Sequence, residues 1–279
     1  MNRLLIIDGH NLLFQMFFGM PSSIPASDGS DIRGVVGFIG AVNRLIEMIN
    51  PTRLLVMFDG ERENPRKALC EEYKANRPDY SALPDCETPF TQLPKIYAAL
   101  DYMGVLHTET TDCETDDVIA SYAVNYGKEN EVYISSFDSD YFQLINENVR
   151  VIRYRGASTV ICDEEYVKAK YGVEPALYLD FKCLVGDTSD NVAGVRGIGP
   201  KTAAKIVNQL GDLQSIKEKY TELGKEKLIS TIEESRELLD RNYALIRLDG
   251  SAAMPYALDE LRFENPRLRT MDIIRGIGV

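Results

Sequence analysis

Acidic side chains recur in this sequence where predicted elements begin or end. Asp8, Asp59 and Asp138 each lie at the end of a short apolar run that is typical of a buried strand. Other acids stand in compact clusters, which gives nine candidate carboxylates: Asp8, Asp59, Glu114, Asp116, Asp117, Asp138, Asp140, Asp187 and Asp190. Because ligands of open parallel sheets bind beyond the carboxyl ends of the strands, we expect these acids to share one crevice.

So much negative charge in one crevice requires compensation by cations. Neighbouring carboxylates repel each other and raise one another's pKa values until some are protonated. The chain has only two histidines, His10 and His107, and no CxxC pair, so oxygen ligands for Mg²⁺ or Mn²⁺ are favoured over a zinc site. Two such ions about 3.5–4 Å apart activate water and stabilise the leaving oxygen of a phosphodiester, which predicts two-metal hydrolysis.

Each acid also has an ordinary structural interpretation. A single aspartate after a strand is commonly a turn or cap residue, and acids in the first turn of a helix interact favourably with its dipole. It is the joint placement of the nine acids that favours a metal site.

Strand and helix patterns alternate in the first half of the chain. Apolar runs from Arg3 to Ile7 and from Leu54 to Phe58 flank a helical pattern from Val35 to Ile49, which indicates a βαβ unit. Further elements are predicted as strands at 105–107, 132–135, 149–154 and 159–161 and as a helix at about 115–126.

From Glu164 onward the pattern is almost wholly helical. We therefore predict an α/β domain at residues 1–162 and a helical domain at residues 163–279. No internal repeat or low-complexity segment interrupts either part.

Two local patches of basic residues are candidates for phosphate binding, although the formal net charge is −12. The first patch includes the sequence GVRGIGPKTAA, which starts at Gly194 and leads into a predicted helix from Thr202 to Leu210. Its glycines allow close approach of a phosphate, and the helix N-terminus offers free N–H groups, although a plain helix–turn–helix corner would use the same glycines. The residues expected to contact phosphate are Gly197, Gly199, Lys201 and Lys205.

The second patch lies in a long, partly helical excursion from the sheet at about residues 62–94. Its basic and aromatic residues are Arg62, Arg66, Lys67, Lys74 and Arg77 with Tyr73 and Tyr80. Such a mixture suits a single strand, whose bases stack on aromatic rings while its phosphates are neutralised. Four interspersed glutamates fit a solvated charged face equally well.

The remaining composition points to a soluble, cytoplasmic chain. Five scattered cysteines argue against a disulfide framework and fit a reducing compartment. No apolar stretch approaches the ~20 residues that cross a bilayer, and Asp8, His10 and Asn11 interrupt the N-terminal apolar run. We therefore expect neither a membrane span nor a signal peptide.

At these residues the sequence resembles the 5′-nuclease (flap endonuclease) superfamily, in the bacterial and phage branch that includes the 5′-3′ exonuclease domain of DNA polymerase I. The likeness covers most of the chain, and its landmarks are IIDGHNLLF at 6–14, FDG at 58–60, EYKANRP at 72–78, ETDDVIAS at 114–121, SFDSDYFQL at 136–144 and GDTSDNVAGVRGIGPKTA at 186–203. It implies a PIN-like parallel-sheet core, a helical arch at about 62–94, and a helix-hairpin-helix at about 186–210 that grips duplex DNA.

The resemblance also implies metal-binding roles for individual acids. Those expected at a first metal site are Asp8, Asp59, Glu114, Asp116 and Asp117. Those expected at a second are Asp138, Asp140, Asp187 and Asp190, and an acid between the ions could serve both.

Positions outside the acids acquire roles from the same resemblance. Lys74 and Arg77 match arch-base residues that orient the scissile phosphate, and Tyr73 precedes them as a stacking residue does in that family. The main chain at Val195 and Ile198 is expected to hold a potassium ion while the turn contacts duplex DNA.

The resulting hypothesis is a monomeric, Mg²⁺-dependent enzyme that releases 5′ flaps and degrades 5′ ends of DNA, RNA-primed ends included, in replication and repair. Mn²⁺ is expected to substitute for Mg²⁺, and the residues expected in catalysis are Asp8, Lys74, Arg77, Asp116 and Asp138. Because the sequence ends at Val279 without a polymerase region, we expect a free-standing form whose functional partner is a separate DNA polymerase.

Three other interpretations use part of the same pattern. A phosphatase of the haloacid-dehalogenase class would use Asp138 and Asp140 as nucleophile and acid, but it explains neither Asp8 nor Asp59. A DNA-binding protein without catalysis would be expected to lack some of the acids. A PIN-type ribonuclease shares the core but usually lacks the helix-hairpin-helix.

Overall fold

The computed structural model describes residues 2–60, 65–78, 84 and 88–279. The strands of its central sheet are β1 (Arg3–Asp8), β2 (Arg53–Asp59), β3 (Leu106–Thr110), β4 (Glu131–Ser135), β5 (Val149–Arg153) and β6 (Val160–Cys162). They lie in the order β3-β2-β1-β4-β5-β6, parallel except for the β5–β6 pair. This order puts β1 between β2 and β4, so the carboxyl ends of the three strands that precede predicted acids are adjacent.

Helices cover both faces of the sheet. On one face, Leu5 and Ile7 of β1 belong to a core with α1 (Gly9–Gly19), α2 (Arg33–Ile49), α3 (Leu93–Tyr102) and the last helix, α11 (Thr270–Gly276). On the other face, Leu4 and Ile6 belong to a core that includes α4 (Thr115–Tyr126) and the helices of the second half. A parallel sheet buried on both sides explains why its strands are continuously apolar rather than alternating.

The second half of the chain is helical and continuous with one of these cores. Its helices are α5 (Glu164–Tyr171), α6 (Tyr178–Val185), α7 (Pro200–Leu210), α8 (Leu213–Lys219), α9 (Glu226–Glu234) and α10 (Arg236–Ile246). A short hairpin of β7 (Gly186–Asp187) and β8 (Val192–Ala193) separates α6 from α7. The fully buried Asn242 of α10 holds this region together, since its Nδ2 donates to the carbonyls of Cys183 (2.9 Å) and Ala193 (2.8 Å).

The predicted fold class, an α/β parallel sheet followed by a helical part, is confirmed. The helix predicted at about 115–126 is found at those residues, and the predicted late strand pair forms β5 and β6. Most predicted boundaries differ by one or two residues. The strand predicted at 105–107 occupies 106–110, and α7 begins at Pro200 rather than Thr202, because proline at the first helical position needs no N–H partner.

The predicted excursion at 62–94 is described only in part. Its described residues include 3₁₀ turns at Pro65–Ala68 and Pro89–Gln92, and turns between residues 69 and 76. Arg62 and Tyr80 of the predicted basic patch lie outside the described residues. Within the described ranges, no helix has the length and apolar character needed to span a membrane.

Candidate active site

Asp8 ends β1 and is the innermost acid of the crevice. Its Oδ1 accepts from the main-chain N–H of Asn11 (3.1 Å), which caps α1, and the hydroxyl of Ser136 donates to its Oδ2 (2.9 Å). The next residue must be glycine, because a Cβ at Gly9 would lie 2.5 Å from the ring of Phe58. Burial, followed by repulsion from neighbouring carboxylates, raises the pKa of Asp8 to about 8.

Asp116 and Asp138 complete a group of mutually repelling acids with Asp8. Burial raises the pKa of Asp138 well above its usual value, and repulsion by Asp140 and Asp116 adds to the effect. Burial is also the main cause that raises the pKa of Asp116, whose Oδ1 accepts a hydrogen bond from the hydroxyl of Tyr141 (2.6 Å). We call Asp8, Asp116 and Asp138 the first acidic group.

Asp59, at the end of β2, lies at the rim of this group. Its side chain is 49% exposed, and its Oδ1 accepts from the main-chain N–H of Thr115 at the start of α4 (3.3 Å). Its repulsion is among the causes that raise the pKa of Asp8, so the structure brings these two predicted ligands together.

Glu114 and Asp117 lie nearby, but their carboxylates are already paired with basic side chains and a main-chain N–H. Arg66 binds both acids, at 2.8 Å from Oδ1 of Asp117, and Lys74 Nζ lies 2.9 Å from Oε1 of Glu114. The Asp117 Oδ1 also accepts from the main-chain N–H of Asp249 (2.9 Å). These contacts tie the excursion to the start of α4, and the metal-ligand role of Asp117 stays a prediction.

A second acidic group consists of Asp140, Asp187 and Asp190. One carboxylate oxygen from each lies within 4.8 Å of the others, although they come from a 3₁₀ helix after β4 and from the hairpin after α6. All three are buried, with 6–8% of their surface exposed. The charges of Asp140 and Asp116 both add to the raised pKa of Asp138, so Asp138 interacts electrostatically with both groups; that it serves both ions stays a prediction.

Lys182 of α6 is a residue of this site that the sequence analysis missed. It is buried, its Nζ lies 2.9 Å from Oδ1 of Asp140, and it forms a short ion pair with Asp187. Burial would raise the pKa of Asp187, but the ammonium outweighs this and lowers it; for Asp140 burial prevails and the pKa rises to about 6. A lone lysine within the apolar helix YLDFKCLV, five residues before Asp187, was the available signal.

The predicted arch-base residues contact Glu114 and also Asp190 of the second acidic group. Lys74 Nζ is 2.9 Å from Glu114 and 3.9 Å from Oδ2 of Asp190, and Arg77 lies 2.7 Å from Oδ1 of Asp190. Tyr73 is only 3% exposed, and its hydroxyl donates to Asp190 (3.3 Å). A base could stack on the ring of Tyr73 only after this segment moves, and its stacking role stays a prediction.

The glycine-rich turn presents its charges to solvent on the way into α7. Lys201 and Lys205 are exposed, as are Gly197, with a φ of +86°, and Gly199. Val195 and Ile198 are buried, and the carbonyl of Val195 accepts from the N–H of Ile198 (3.0 Å). Lys67 is likewise exposed. The roles of these residues toward DNA and potassium stay predictions.

The donor set of the two groups fits divalent cations. All candidate ligands offer carboxylate oxygens, and those of the second acidic group lie within 4.8 Å of one another with the Lys182 ammonium 2.9 Å from Oδ1 of Asp140. Raised pKa values at Asp8 and Asp138 mark places where added positive charge would stabilise the ionised acids. Oxygen-rich sites of this kind suit Mg²⁺ or Mn²⁺.

The raised pKa of Asp8 predicts a pH-dependent loss of stability in chelator. Between about pH 4 and pH 8 the folded chain keeps a proton on Asp8 that the unfolded chain has lost, so the free energy of unfolding falls as the pH rises. The Asp8→Asn variant keeps a helix cap and should exceed the parent in stability at pH 8 by on the order of a few kcal/mol.

Urea unfolding in EDTA across this pH range measures the effect. Asp163→Asn, at the exposed cap of α5, is the matched control and should follow the parent at every pH. If the Asp8→Asn curve also runs parallel to that of the parent, repulsion at Asp8 is not what destabilises the folded state.

Lys182 should be needed for stability because it neutralises buried acids. Lys182→Met leaves Asp140 and Asp187 without their buried partner, which should cost roughly 3–5 kcal/mol in EDTA. Lys217→Met removes a pair with the exposed Asp240 (2.6 Å) and should cost at most about 1 kcal/mol. Urea midpoints of the two variants test the difference, and equal losses would contradict it.

Comparison with known proteins places this geometry in a family. The model of the 5′-3′ exonuclease N-terminal resolvase-like domain matches residues 3–172, and that of the 5′-3′ exonuclease C-terminal SAM fold matches residues 173–269. A 5′-3′ exonuclease of Aquifex aeolicus is 32% identical over 97% of this chain and 90% of its own length. A 5′-3′ exonuclease of Streptomyces coelicolor is 36% identical over 76% of this chain and 73% of its own length.

Polymerases and solved structures extend the comparison. The thermostable DNA polymerase I of Thermus thermophilus is 34% identical over 77% of this chain, which corresponds to 25% of the polymerase. The fold is shared with the D15 protein of phage T5 co-crystallised with metal ions, at 23% identity, a TM-score of 0.72 and 99% coverage of both chains. The two domain models and the Aquifex relative together show that this chain belongs to the 5′-3′ exonuclease family.

Proposed function

We propose that this chain is a structure-specific 5′ nuclease that uses two divalent metal ions to hydrolyse phosphodiester bonds at 5′ flaps and 5′ ends of DNA. The observation that carries the proposal is the convergence of the first acidic group with Asp140, Asp187 and Asp190 at one edge of the sheet. Buried acids that repel one another destabilise the folded state, so their clustering is typical of a functional site and is not expected of acids that only cap helices or form ion pairs.

Mg²⁺ is the expected cofactor, and Mn²⁺ is expected to substitute for it. Divalent cations at the two groups would supply the positive charge that activates a water molecule and stabilises the leaving oxygen. Asp8, Asp116 and Asp138 would hold one side of the crevice, and Asp187 and Asp190 the other. Asp59, Glu114, Asp117 and Asp140 are proposed as further ligands.

Lys74 and Arg77 would orient the scissile phosphate and stabilise the charge that develops on it. Both cationic groups lie within 4 Å of a candidate metal ligand, so a phosphate bound there would be in their reach. Arg66 sits deeper, between Glu114 and Asp117, and is better placed to fix the excursion than to meet substrate.

The substrate is proposed from the family and its relatives. Structures of the phage T5 D15 flap endonuclease and of the Rad2 catalytic core contain DNA, which supports a DNA substrate with a branched or 5′-flapped end. We further propose tolerance of RNA-primed ends, action as a monomer in the cytoplasm, cooperation with a DNA polymerase, and a potassium ion at Val195 and Ile198. The phosphatase interpretation loses support because Asp138 shares its environment with three other acids, Asp116, Asp140 and Asp190.

Loss of one first-group acid should abolish cutting while leaving binding largely intact. We expect Asp138→Asn to lower the single-turnover rate on a 5′-labelled flap duplex by roughly 10³-fold or more in Mg²⁺, because the charge of a metal ligand is removed. EDTA should abolish the activity of the parent. Affinity for the same duplex, measured by anisotropy in Ca²⁺, should change little, and a variant that cuts at the parental rate would contradict the metal-centred proposal.

Lys201 and Lys205 should govern the salt dependence of duplex binding. Replacing both with alanine should lower the slope of log K against log salt by about one for each phosphate that the variant no longer neutralises. Lys225 and Lys227, exposed at the start of α9, provide the control pair, whose replacement should leave the slope unchanged. Equal slopes for the parent and the Lys201/Lys205 double variant would remove α7 from the DNA footprint.

A further inference from the structure

Two segments that carry candidate catalytic residues are joined by hydrogen bonds outside the acids. We call residues 72–77 the arch-base segment and residues 187–191 the acidic loop. The side-chain amide of Asn191 donates to the carbonyl of Glu72 (2.8 Å), and that of Asn76 donates to the carbonyl of Thr188 (3.0 Å). The two amides cross the same junction in opposite directions, and we call the pair the asparagine clasp.

The main chain of both segments is held in an uncommon conformation at this junction. Lys74 has a φ of +57° and Asn191 a φ of +58°, in the left-handed region. This conformation costs a lysine roughly 1 kcal/mol or more, so its surroundings must hold it there. The main-chain N–H of Lys74 donates to the carbonyl of Asp190 (2.9 Å), which is a third hydrogen bond between the arch-base segment and the acidic loop.

This junction determines where two cationic groups lie. From its left-handed main chain, the Lys74 ammonium extends to 2.9 Å from Glu114 and 3.9 Å from Asp190. Arg77, one residue after Asn76, lies 2.7 Å from Asp190. The clasp therefore fixes the positions of the Lys74 ammonium and the Arg77 guanidinium relative to the carboxylate of Asp190.

We propose that Asn76 and Asn191 are positioning residues that hold Lys74 and Arg77 in register with the acidic crevice, a role that rests on the proposed nuclease function. Both asparagines are exposed, so each bond contributes only about 0.5–1.5 kcal/mol. That is too little for the fold to depend on, but it is enough to select one arrangement of a short segment. We do not expect the two asparagines to affect substrate specificity or the binding of duplex DNA at α7.

The clasp should affect the rate of cutting more than the affinity for DNA. A displacement of about 1 Å in a catalytic group can lower a rate by about 10²-fold. We therefore expect Asn76→Ala and Asn191→Gly to lower the single-turnover rate on a 5′-flap duplex by roughly 10- to 100-fold, with dissociation constants within about twofold of the parent. Glycine at 191 can adopt the left-handed conformation without strain, so the variant removes the amide without a steric penalty, and Asn76→Ala tests the clasp without added main-chain freedom at 191.

The experiment pairs this rate with hydrogen exchange in the metal-free, full-length chain. Without the amides, the main-chain N–H groups of residues 72–77 should exchange roughly tenfold faster, because the Lys74–Asp190 bond opens more often. Asn43→Ala is the control: its Nδ2 also joins distant segments, donating to the carbonyl of Leu268 (3.2 Å) on the face of the sheet that packs α11. It should change neither readout.

The outcomes separate the clasp from the nuclease proposal. Parental exchange in both variants would overturn the clasp, and faster exchange with a parental cutting rate would overturn its positioning role. A parent chain that cuts no flap duplex in Mg²⁺ would overturn the proposed function and the catalytic purpose of the clasp together. In that case the exchange data alone would still decide whether the two asparagines hold the segments together.

Discussion

Burial of like charges at the edge of a parallel sheet is the constraint on which this structure depends. Strand order brings the ends of β1, β2 and β4 side by side, and each strand ends at or shortly before an aspartate, so Asp8, Asp59 and Asp138 share one edge of the sheet. The apolar cores on both sides of the sheet hold those strands too firmly for the acids to move apart. Because the acids cannot separate, their repulsion must be offset by positive charge bound next to them, from basic side chains, protons or metal ions.

The chain supplies that charge unevenly. In the second acidic group, the buried Lys182 lies between Asp140 and Asp187 and keeps the pKa of Asp187 low. The first group has hydroxyl and main-chain donors around Asp8, and these do not prevent its pKa from rising to about 8. The first group thus has the greater electrostatic need for an added cation, and it is also the group at the centre of the sheet.

Features that depend on local pattern and on the parallel-strand rule could be predicted from the sequence. Asp8, Asp59 and Asp138 could be assigned to one crevice because each ends or follows an apolar run, and α4 could be placed because its buried face repeats at helical spacing. The sequence singles out Lys182 as a lone lysine in an apolar helix, but its partners and those of the asparagine clasp could not be found this way, since they are set by how α6 and the hairpin after it pack against distant segments. Tyr73 was expected to be available for stacking, yet it is buried against Val192 and Leu245, a contact between segments more than a hundred residues apart.

The uneven distribution of charge over the molecule explains how an acidic chain can bind DNA. The formal net charge of −12 is summed over the whole molecule, whereas the candidate carboxylates are gathered at one edge of the sheet, where Arg66, Lys74 and Lys182 pair with some of them. In the proposed function, phosphates of a duplex would meet the exposed lysines Lys201 and Lys205 of α7, and salt would screen the repulsion from acids that lie more than a Debye length away. Close to the crevice the sign reverses, and only a cation, or a phosphate already accompanied by one, can be accommodated there. If the proposed roles of α7 and of the acids hold, binding of the duplex and cutting of the strand depend on different charges, so each could change without the other.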